Sequence, residues 1–252
     1  MYRPADVVYL YDGSFEGFLS CVFESFARKE LPFGVWPQDE PQPSLFAERY
    51  VDTDPARAAR VYASIPQRLG ARAKELVSYG FLSGETDKER ALLRFLQFAY
   101  AAGPKASWMH GHEAVAPVWA LEKGVRGEAH QFAQFLRFSQ SGGALGAVID
   151  PRHYVLPLLR GHFCGRYPEE TFVIYDRTHR AALVYQDHQA GYLQLEEDFR
   201  LPPASEDEQA YQALWKAFYN TIAIRQRQNL KLRRSHCPKR YWGNMLELQG
   251  EA

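Results

Sequence analysis

Cysteine and methionine are scarce in this sequence, with three of each in 252 residues. The cysteines, Cys21, Cys164 and Cys237, are widely spaced and odd in number. They therefore form neither a disulfide framework nor a paired metal-binding motif. Reduced thiols in a cytoplasm are the simplest interpretation, and we expect a cytoplasmic protein.

Long apolar runs and an excess of one charge are also missing. No stretch approaches the roughly 18 consecutive apolar residues of a membrane-spanning helix, and the amino terminus lacks the apolar run of a signal peptide. We therefore expect a soluble protein with no membrane partner. Lys plus Arg and Asp plus Glu both number 30, so the net charge selects no partner.

Apolar residues make up 46% of the sequence and aromatic residues 14%. This content excludes intrinsic disorder, because burial of apolar surface can offset the entropy of the chain. The length fits one large domain or two small ones. We predict a single domain over residues 1–252, with a helical lobe at about 54–124 and a basic C-terminal segment at 225–242.

The first 44 residues combine a strand pattern, a helical pattern and a cluster of prolines. Val7–Tyr11 predicts a short strand. Apolar residues at helical spacing from Phe15 to Phe26 predict a helix that Ser14 caps. Four prolines within residues 31–44 exclude a regular helix and predict an ordered loop.

Helical patterns dominate the next 70 residues. The pair Asp54-Pro55 is typical of a helix start, with a capping carboxylate followed by proline in the first turn. Three helical patterns follow. The first ends at about Leu82, the second covers about 87–102 and the third covers about 111–124. They constitute the predicted lobe.

The periodicity then changes from helical to alternating. Alternation over His130–Ser139 predicts a strand, and Ser141-Gly142-Gly143 predicts a hairpin turn into a second strand, Ala144–Ile149. A helix is expected within residues 153–167. Three more strands are predicted at Phe172–Asp176, Ala181–Gln186 and Gly191–Leu195. The order predicts an α+β fold, in which an antiparallel sheet with packed helices accompanies the helical lobe.

A last helix follows the capping box Ser205-Glu206-Asp207-Glu208. Its apolar residues recur at helical spacing, and we expect the helix to bury all of them. They are Tyr211, Leu214, Trp215, Phe218, Tyr219 and Ile222.

Charge is distributed unevenly near the carboxyl end. Residues 187–208 contain seven acids and one base, whereas residues 225–240 contain seven bases and no acid. Such a cationic run is typical of phosphate binding, since neutralising phosphates releases condensed counterions. The candidate nucleic-acid-binding residues are Arg225, Arg227, Lys231, Arg233, Arg234, Lys239 and Arg240, with Arg137 and Arg166 as possible additions.

Tyr241 and Trp242 follow these cations directly and are candidates for stacking on a nucleic-acid base. The alternative is a solvated helix end in which the arginines pair with the acidic stretch and the two aromatic residues anchor the tail in the core. Both interpretations stay open from the sequence.

Enzymatic chemistry is a second hypothesis. Asp12, Glu16 or Glu128 could act as a general acid or base with His130 or His162, provided that these groups meet in one cleft. Capping and structural hydrogen bonding are the alternative roles of the same residues. His110 and His112 lack the spacing of zinc proteases, so no metal and no cofactor is predicted, and no catalytic residue is assigned.

Four segments together resemble a known bacterial family. The first begins with Tyr11-Asp12-Gly13-Ser14-Phe15-Glu16-Gly17, and the last ends with Pro238-Lys239-Arg240-Tyr241-Trp242. The segments span nearly the whole chain and are Tyr11–Glu24, Val125–Phe138, Pro157–Tyr185 and Leu214–Trp242. They resemble the proteins called "probable DNA metabolism protein", a domain of unknown function. Gln131 and Cys237 depart from that pattern, where Arg and Met are usual.

This resemblance implies a context rather than a mechanism. Members are encoded beside a radical-SAM DNA modification or repair protein, or are fused to a uracil-DNA glycosylase superfamily domain. The implied function is a DNA-associated accessory protein in DNA repair or modification that works with such a partner. A protein-interaction module without nucleic-acid affinity is a third hypothesis, in which the apolar and basic surfaces dock the radical-SAM protein.

Overall fold

The computed structural model describes residues 3–39, 43–196, 199–223, 227 and 229–248. By its internal contacts the chain divides into two compact units, Met1–Val125 and Arg126–Ala252. The single domain predicted from the sequence stays a prediction. Among the described residues, no helix combines the length and the apolar character needed to cross a bilayer.

The first unit contains a three-stranded parallel sheet in the order β2–β1–β3, formed by β1 (Arg3–Tyr11), β2 (Glu30–Pro37) and β3 (Ala47–Tyr50). The central strand β1 is buried on both faces, because Tyr9 packs against the helices while Val8 and Leu10 contact Trp36 on the other side. Burial on both faces is usual for parallel strands.

The helices of the first unit are α1 (Phe15–Arg28), α2 (Pro55–Leu69), α3 (Ala71–Phe81) and α4 (Lys88–Ala102), followed by a short 3-10 helix, Pro104–Trp108. Both predicted caps are confirmed. Ser14 accepts a hydrogen bond from the Gly17 amide, and Asp54 accepts from the amides of Ala56 and Arg57. The helical pattern that the sequence carries to Leu82 is broken at Gly70, where φ is 88°.

One prediction for this unit is wrong. Residues 30–37 form the strand β2 rather than part of a loop, although they contain Pro32 and Pro37. The reason is that β2 lies at an edge of the sheet. A proline on an edge strand can leave its missing N–H on the unpaired side.

The second unit contains a five-stranded sheet in the order β4–β5–β6–β7–β8. Its strands are β4 (Ser139–Ser141), β5 (Ala144–Ile149), β6 (Phe172–Asp176), β7 (Ala181–Gln186) and β8 (Gln189–Gln194). The predicted hairpin is confirmed, with Gly142 and Gly143 at φ 56° and 84°. The α+β class is confirmed, and the pairing is mostly antiparallel.

Helix α6 (Leu156–Arg166) explains the one parallel pair among the described strands of the five-stranded sheet, β5 with β6. It connects the two strands as a crossover, and a crossover returns the chain in the same direction. One face of the sheet packs against α6 and the last part of α5 (Ala116–Phe135), forming the core of the unit.

The strand predicted over His130–Ser139 is wrong, because α5 continues to Phe135. Alternation and helical spacing overlap in this stretch. Ala129, Phe132 and Leu136 are all buried, and their spacing of three and four residues places them on one helical face. Core packing of this face therefore decides in favour of the helix.

Helix α7 (Glu206–Ile222) begins at the predicted cap, where Ser205 accepts a hydrogen bond from the Glu208 amide. The expectation that it buries its apolar face is wrong. Within this helix, which the structure describes throughout, no residue is buried. Tyr211, Leu214 and Phe218 are 70%, 65% and 54% exposed.

Gly17 offers a test of the packing between α1 and the ends of β1 and β3. A Cβ atom at this position would lie 2.8 Å from Thr53 Oγ1 and 2.9 Å from Tyr11 Cδ2, and would also clash with the Asp12 carboxylate. We expect Gly17→Ala to lower the free energy of unfolding by about 1–3 kcal/mol, measured by chemical denaturation. Gly127→Ala in α5 meets no atom within 4 Å and should instead raise it by about 0.5–1 kcal/mol.

Glu89 makes the stability of the first unit depend on pH. It is buried in α4 and accepts a hydrogen bond of 2.9 Å from the Tyr11 hydroxyl. Burial raises the pKa of Glu89, against the opposing charge of Lys88. A carboxyl whose folded pKa lies above its unfolded value destabilises the fold progressively as the pH rises through that window.

We therefore expect Glu89→Gln, which can still accept from Tyr11, to gain stability relative to the wild type as the pH rises from about 4 towards neutrality. Thermal unfolding across this pH range measures the difference. The exposed Glu48→Gln serves as a control, and parallel curves for the Glu89 variant and the wild type would contradict the assignment.

Candidate nucleic-acid interface

The described part of the basic segment contains a short helix, α8 (Leu230–His236). Asn229 caps it by accepting a hydrogen bond of 3.0 Å from the Leu232 amide. Pro238 follows its carboxyl end and precedes a 3-10 helix, Lys239–Asn244. Asn at the amino end and Pro past the carboxyl end are ordinary helix boundaries.

Tyr241 and Trp242 anchor this segment in the core of the second unit. Each ring is 1% exposed. The Tyr241 ring meets Phe132 edge-on at 5.0 Å, and Trp242 Nε1 donates 2.9 Å to the Cys237 carbonyl. The stacking role proposed for these residues is corrected, because no face of either ring is open to a base. The core alternative describes them.

Three of the cations lie against these two rings. Arg240 lies 4.8 Å from the Tyr241 ring and pairs with the buried carboxylate of Glu128 at 3.3 Å. Arg233 and Lys239 lie 5.9 and 5.5 Å from the Trp242 ring. Cation–π contacts hold these side chains to the segment, so they have structural partners in the folded chain.

Three other cations face solvent. Arg227, Lys231 and Arg234 are exposed, and none forms a salt bridge with another of the described residues. Arg225 lies outside the described residues. The run is therefore divided by its packing, with Arg240 held by a carboxylate and these three side chains available to an external anion.

A groove of about 400 Å³ lies between the end of α7 and α8. Cationic, polar and apolar side chains line it together, and none of the described lining residues carries a carboxylate. The lining residues are Tyr219, Ile222, Ala223, Arg227, Asn229, Leu232, Arg233 and His236. Sequence reasoning missed Tyr219, Asn229 and His236 here. Their only signal was proximity to the basic run.

Arg137, His162 and Arg166 meet in a second pocket of about 610 Å³, where α5 ends beside α6. Gln134 and Tyr167 add polar groups, and Phe138 and Phe163 add aromatic surface.

Arg137 donates to the carbonyls of Gln134 and Leu136 at 3.3 Å and lies 3.7 Å from Glu247. Arg137, His162 and Arg166 were separate candidates in the sequence, and the fold brings them together in this pocket.

Asp12 and Glu16 lie at the start of α1 in the first unit. The Asp12 carboxylate accepts hydrogen bonds from the Ser14 amide and hydroxyl and from the Thr53 hydroxyl, at 2.7–2.9 Å. Although partial burial opposes it, these hydrogen bonds lower the pKa of Asp12. The Asp12 carboxylate therefore holds the capping residue Ser14 and links it to Thr53, which supports a structural role.

Glu128 serves as a structural anchor in the second unit. Its two oxygens accept hydrogen bonds from the backbone amides of Arg152 and His153 at 3.1 and 2.7 Å. His130, in contrast, is exposed and contacts Gln134 within α5 at 2.8 Å. Of the enzyme candidates in this unit, His162 lines the second pocket, whereas Glu128 and His130 do not belong to its lining.

The histidines considered for metal binding have aromatic neighbours. His112 stacks on Phe98 at 3.7 Å, and His110 lies 4.2 Å from Trp119. A search of the part of the chain that the structure describes finds no group of three or more His, Cys, Asp or Glu side chains that could hold a metal ion.

Sequence reasoning also missed a pair formed by the buried Asp176 and the half-buried His179. Asp176 is fully buried and lies 2.6 Å from His179 Nδ1, while its other oxygen accepts from the His179 amide at 3.1 Å. The spacing Asp-x-x-His at the end of a strand was the available signal. The pair closes the turn between β6 and β7.

Removal of the Glu128 carboxylate tests the anchor. In Glu128→Ala the amides of Arg152 and His153 lose their acceptor, so we expect the free energy of unfolding to fall by about 2–4 kcal/mol. Glu128→Gln, which keeps one acceptor oxygen, should lose less. Chemical denaturation measures both, with the exposed Glu113→Ala as a control of little effect. Equal stability of Glu128→Ala and wild type would refute the anchor.

Comparison with known proteins identifies a family. No curated protein and no solved structure matches the chain. A family model described as a domain of unknown function, DUF4130, matches residues 86–247, which is more than half of the chain. The chain therefore belongs to the DUF4130 family of domains of unknown function.

Proposed function

We propose that this chain is a DNA-associated accessory protein in DNA repair or modification, which binds phosphate through the exposed cations around α8. One observation carries the proposal: Arg227, Lys231 and Arg234 are exposed and have no carboxylate partner among the described residues. Phosphate binding by such side chains is favourable because it releases counterions from the nucleic acid.

The groove beside α8 supports the same conclusion. Arg227 and Arg233 border it, and the Tyr219 and Asn229 side chains add hydrogen-bonding groups beside the apolar Leu232. A nucleic-acid backbone has a comparable division, with charged phosphates and less polar sugars. Phosphate contacts of this kind position a strand without reading its sequence.

The pocket of Arg137, His162 and Arg166 is a second phosphate-binding candidate. Glu247 lies 3.7 Å from Arg137 and offsets part of its charge. We therefore assign the main contribution to α8 and a smaller one to this pocket. Enzymatic chemistry by Asp12, Glu16, Glu128, His130 or His162 has no comparable support, since Asp12 and Glu128 are engaged in capping and anchoring.

The proposed partner is the radical-SAM or glycosylase-type protein that the family resemblance implies. The exposed apolar face of α7 favours protein contact as a second role. Co-purification with the radical-SAM protein and no affinity for any nucleic acid would replace the accessory role by that of a pure interaction module.

The charge-reversal variant Arg227→Glu/Lys231→Glu/Arg234→Glu tests the phosphate contacts. We expect it to abolish binding in a mobility-shift assay with single- and double-stranded oligonucleotides, without lowering the melting temperature, because all three side chains are exposed. The matched control Lys105→Glu/Lys123→Glu/Arg200→Glu changes the net charge equally at other exposed positions and should still bind.

Salt dependence gives an independent count of the contacts. Three phosphates predict a slope of about −3 for log affinity against log salt on duplex DNA, compared with about −6 for all seven cations. Affinity should then fall about fortyfold between 50 and 200 mM salt. Equal loss of binding in the control variant, or unchanged binding in the α8 variant, would contradict the proposed interface.

A further inference from the structure

Helix α7 exposes an apolar stripe that none of the described residues of its own unit covers. Tyr211, Leu214, Trp215, Phe218 and Ile222 are 70%, 65%, 43%, 54% and 57% exposed. The Trp215 indole nitrogen donates 3.2 Å to Glu247, and its ring lies 6.0 Å from that of Phe218. Contiguous exposed apolar surface of this kind marks an interaction site more often than scattered exposed residues do.

The spacing of the stripe suits a second helix. Tyr211, Trp215, Phe218 and Ile222 follow one another at intervals of four, three and four residues. This is the spacing of a helix–helix seam, in which the side chains of one helix fit between those of another. The 17 residues of α7 extend over about 25 Å, so a partner helix of similar length could cover the stripe.

Charge at the two ends of α7 restricts the partner. The first turn carries Glu206, Asp207 and Glu208, whereas the segment after the helix carries the exposed Arg227 and then α8 with Lys231 and Arg234. A phosphate polymer lying along the stripe would meet three carboxylates at its start. A helix with the opposite polarity of charge would find complementary charges at both ends.

We propose that this partner is α7 of a second copy of the chain, packed antiparallel. Such a pairing is two-fold symmetric, with the same surface on both copies. When Tyr211 of one copy lies beside Ile222 of the other, the first turn of each α7, with Glu206, lies at the end of the partner helix. Arg227 lines the groove beside Ile222 at that end. A parallel pair would instead bring acids against acids.

The inference goes beyond the proposed DNA association and does not rest on it. Its test uses the full chain without nucleic acid, by sedimentation equilibrium between about 1 and 100 µM. We expect a concentration-dependent rise from the monomer mass of 28.9 kDa towards twice that value. Monomer throughout this range would overturn the proposal, including the case in which a different protein covers the stripe.

The variant Leu214→Glu/Phe218→Glu should remain monomeric at every concentration, because it places carboxylates in the seam. Both side chains are exposed, so circular dichroism and thermal unfolding of the dilute variant should match those of the monomeric wild type. The matched control Leu45→Glu/Tyr50→Glu alters two other exposed apolar residues and should still dimerise. A dimer that survives the α7 substitutions uses another surface.

The charged residues at the two ends of α7 test whether the two helices pack antiparallel. We expect Glu206→Lys/Asp207→Lys to weaken dimerisation on the order of tenfold, since each exposed ion pair is weak but occurs twice in a symmetric dimer. Adding Arg227→Glu to that variant should restore most of the loss, because the pairs re-form with exchanged signs. Unchanged dimerisation in the first variant, or no rescue in the second, excludes the antiparallel arrangement.

Discussion

The buried carboxylate of Glu128 holds together three parts of the second unit that are distant in sequence. It accepts hydrogen bonds from two backbone amides, those of Arg152 and His153, and pairs with Arg240. Charged acceptors of this kind are costly to bury unless they are fully engaged. The carboxylate therefore constrains where the loop before α6 and the carboxyl-terminal segment can lie relative to α5, and the candidate interface depends on that placement.

Anchoring decides which cations are available. Because Tyr241 and Trp242 enter the core, the adjacent Arg240 turns towards Glu128, and Arg233 and Lys239 lie over the Trp242 ring. Arg227, Lys231 and Arg234 remain exposed. The anion-binding surface is therefore smaller than the run of seven bases, and a count of charges in the sequence overestimates its size.

Local interactions made much of the fold predictable. The caps at Ser14, Asp54 and Ser205 and the Gly142-Gly143 turn depend on residues close in sequence. Residues 130–135 fit both a strand and a helix, and only long-range packing of Phe132 selects the helix. Similarly, the proline-containing strand β2 exists because β1 pairs with it, an interaction that no local pattern contains.

The candidate site was less predictable for the same reason. The sequence does not show whether a given cation will contact a carboxylate or an aromatic ring in the folded chain. Arg240 and Arg234 therefore have the same sequence signal, although only Arg240 pairs with a carboxylate. The amphipathic pattern of α7 predicted its apolar face, but the periodicity does not say what covers that face. Arg137, His162 and Arg166 converge only because α5 and α6 end beside each other.

The two proposed interactions meet at Arg227. In an antiparallel pair its guanidinium faces a carboxylate of the second copy, and on DNA it faces a phosphate. One side chain cannot fully satisfy both, so occupation of either surface weakens the other at this residue, and linkage requires the two effects to be equal in free energy. Ile222 also belongs to both surfaces, since it lies in the stripe and lines the groove beside α8. The coupling between self-association and DNA binding should therefore be negative and centred on the end of α7, where Ile222 and Arg227 belong to both surfaces.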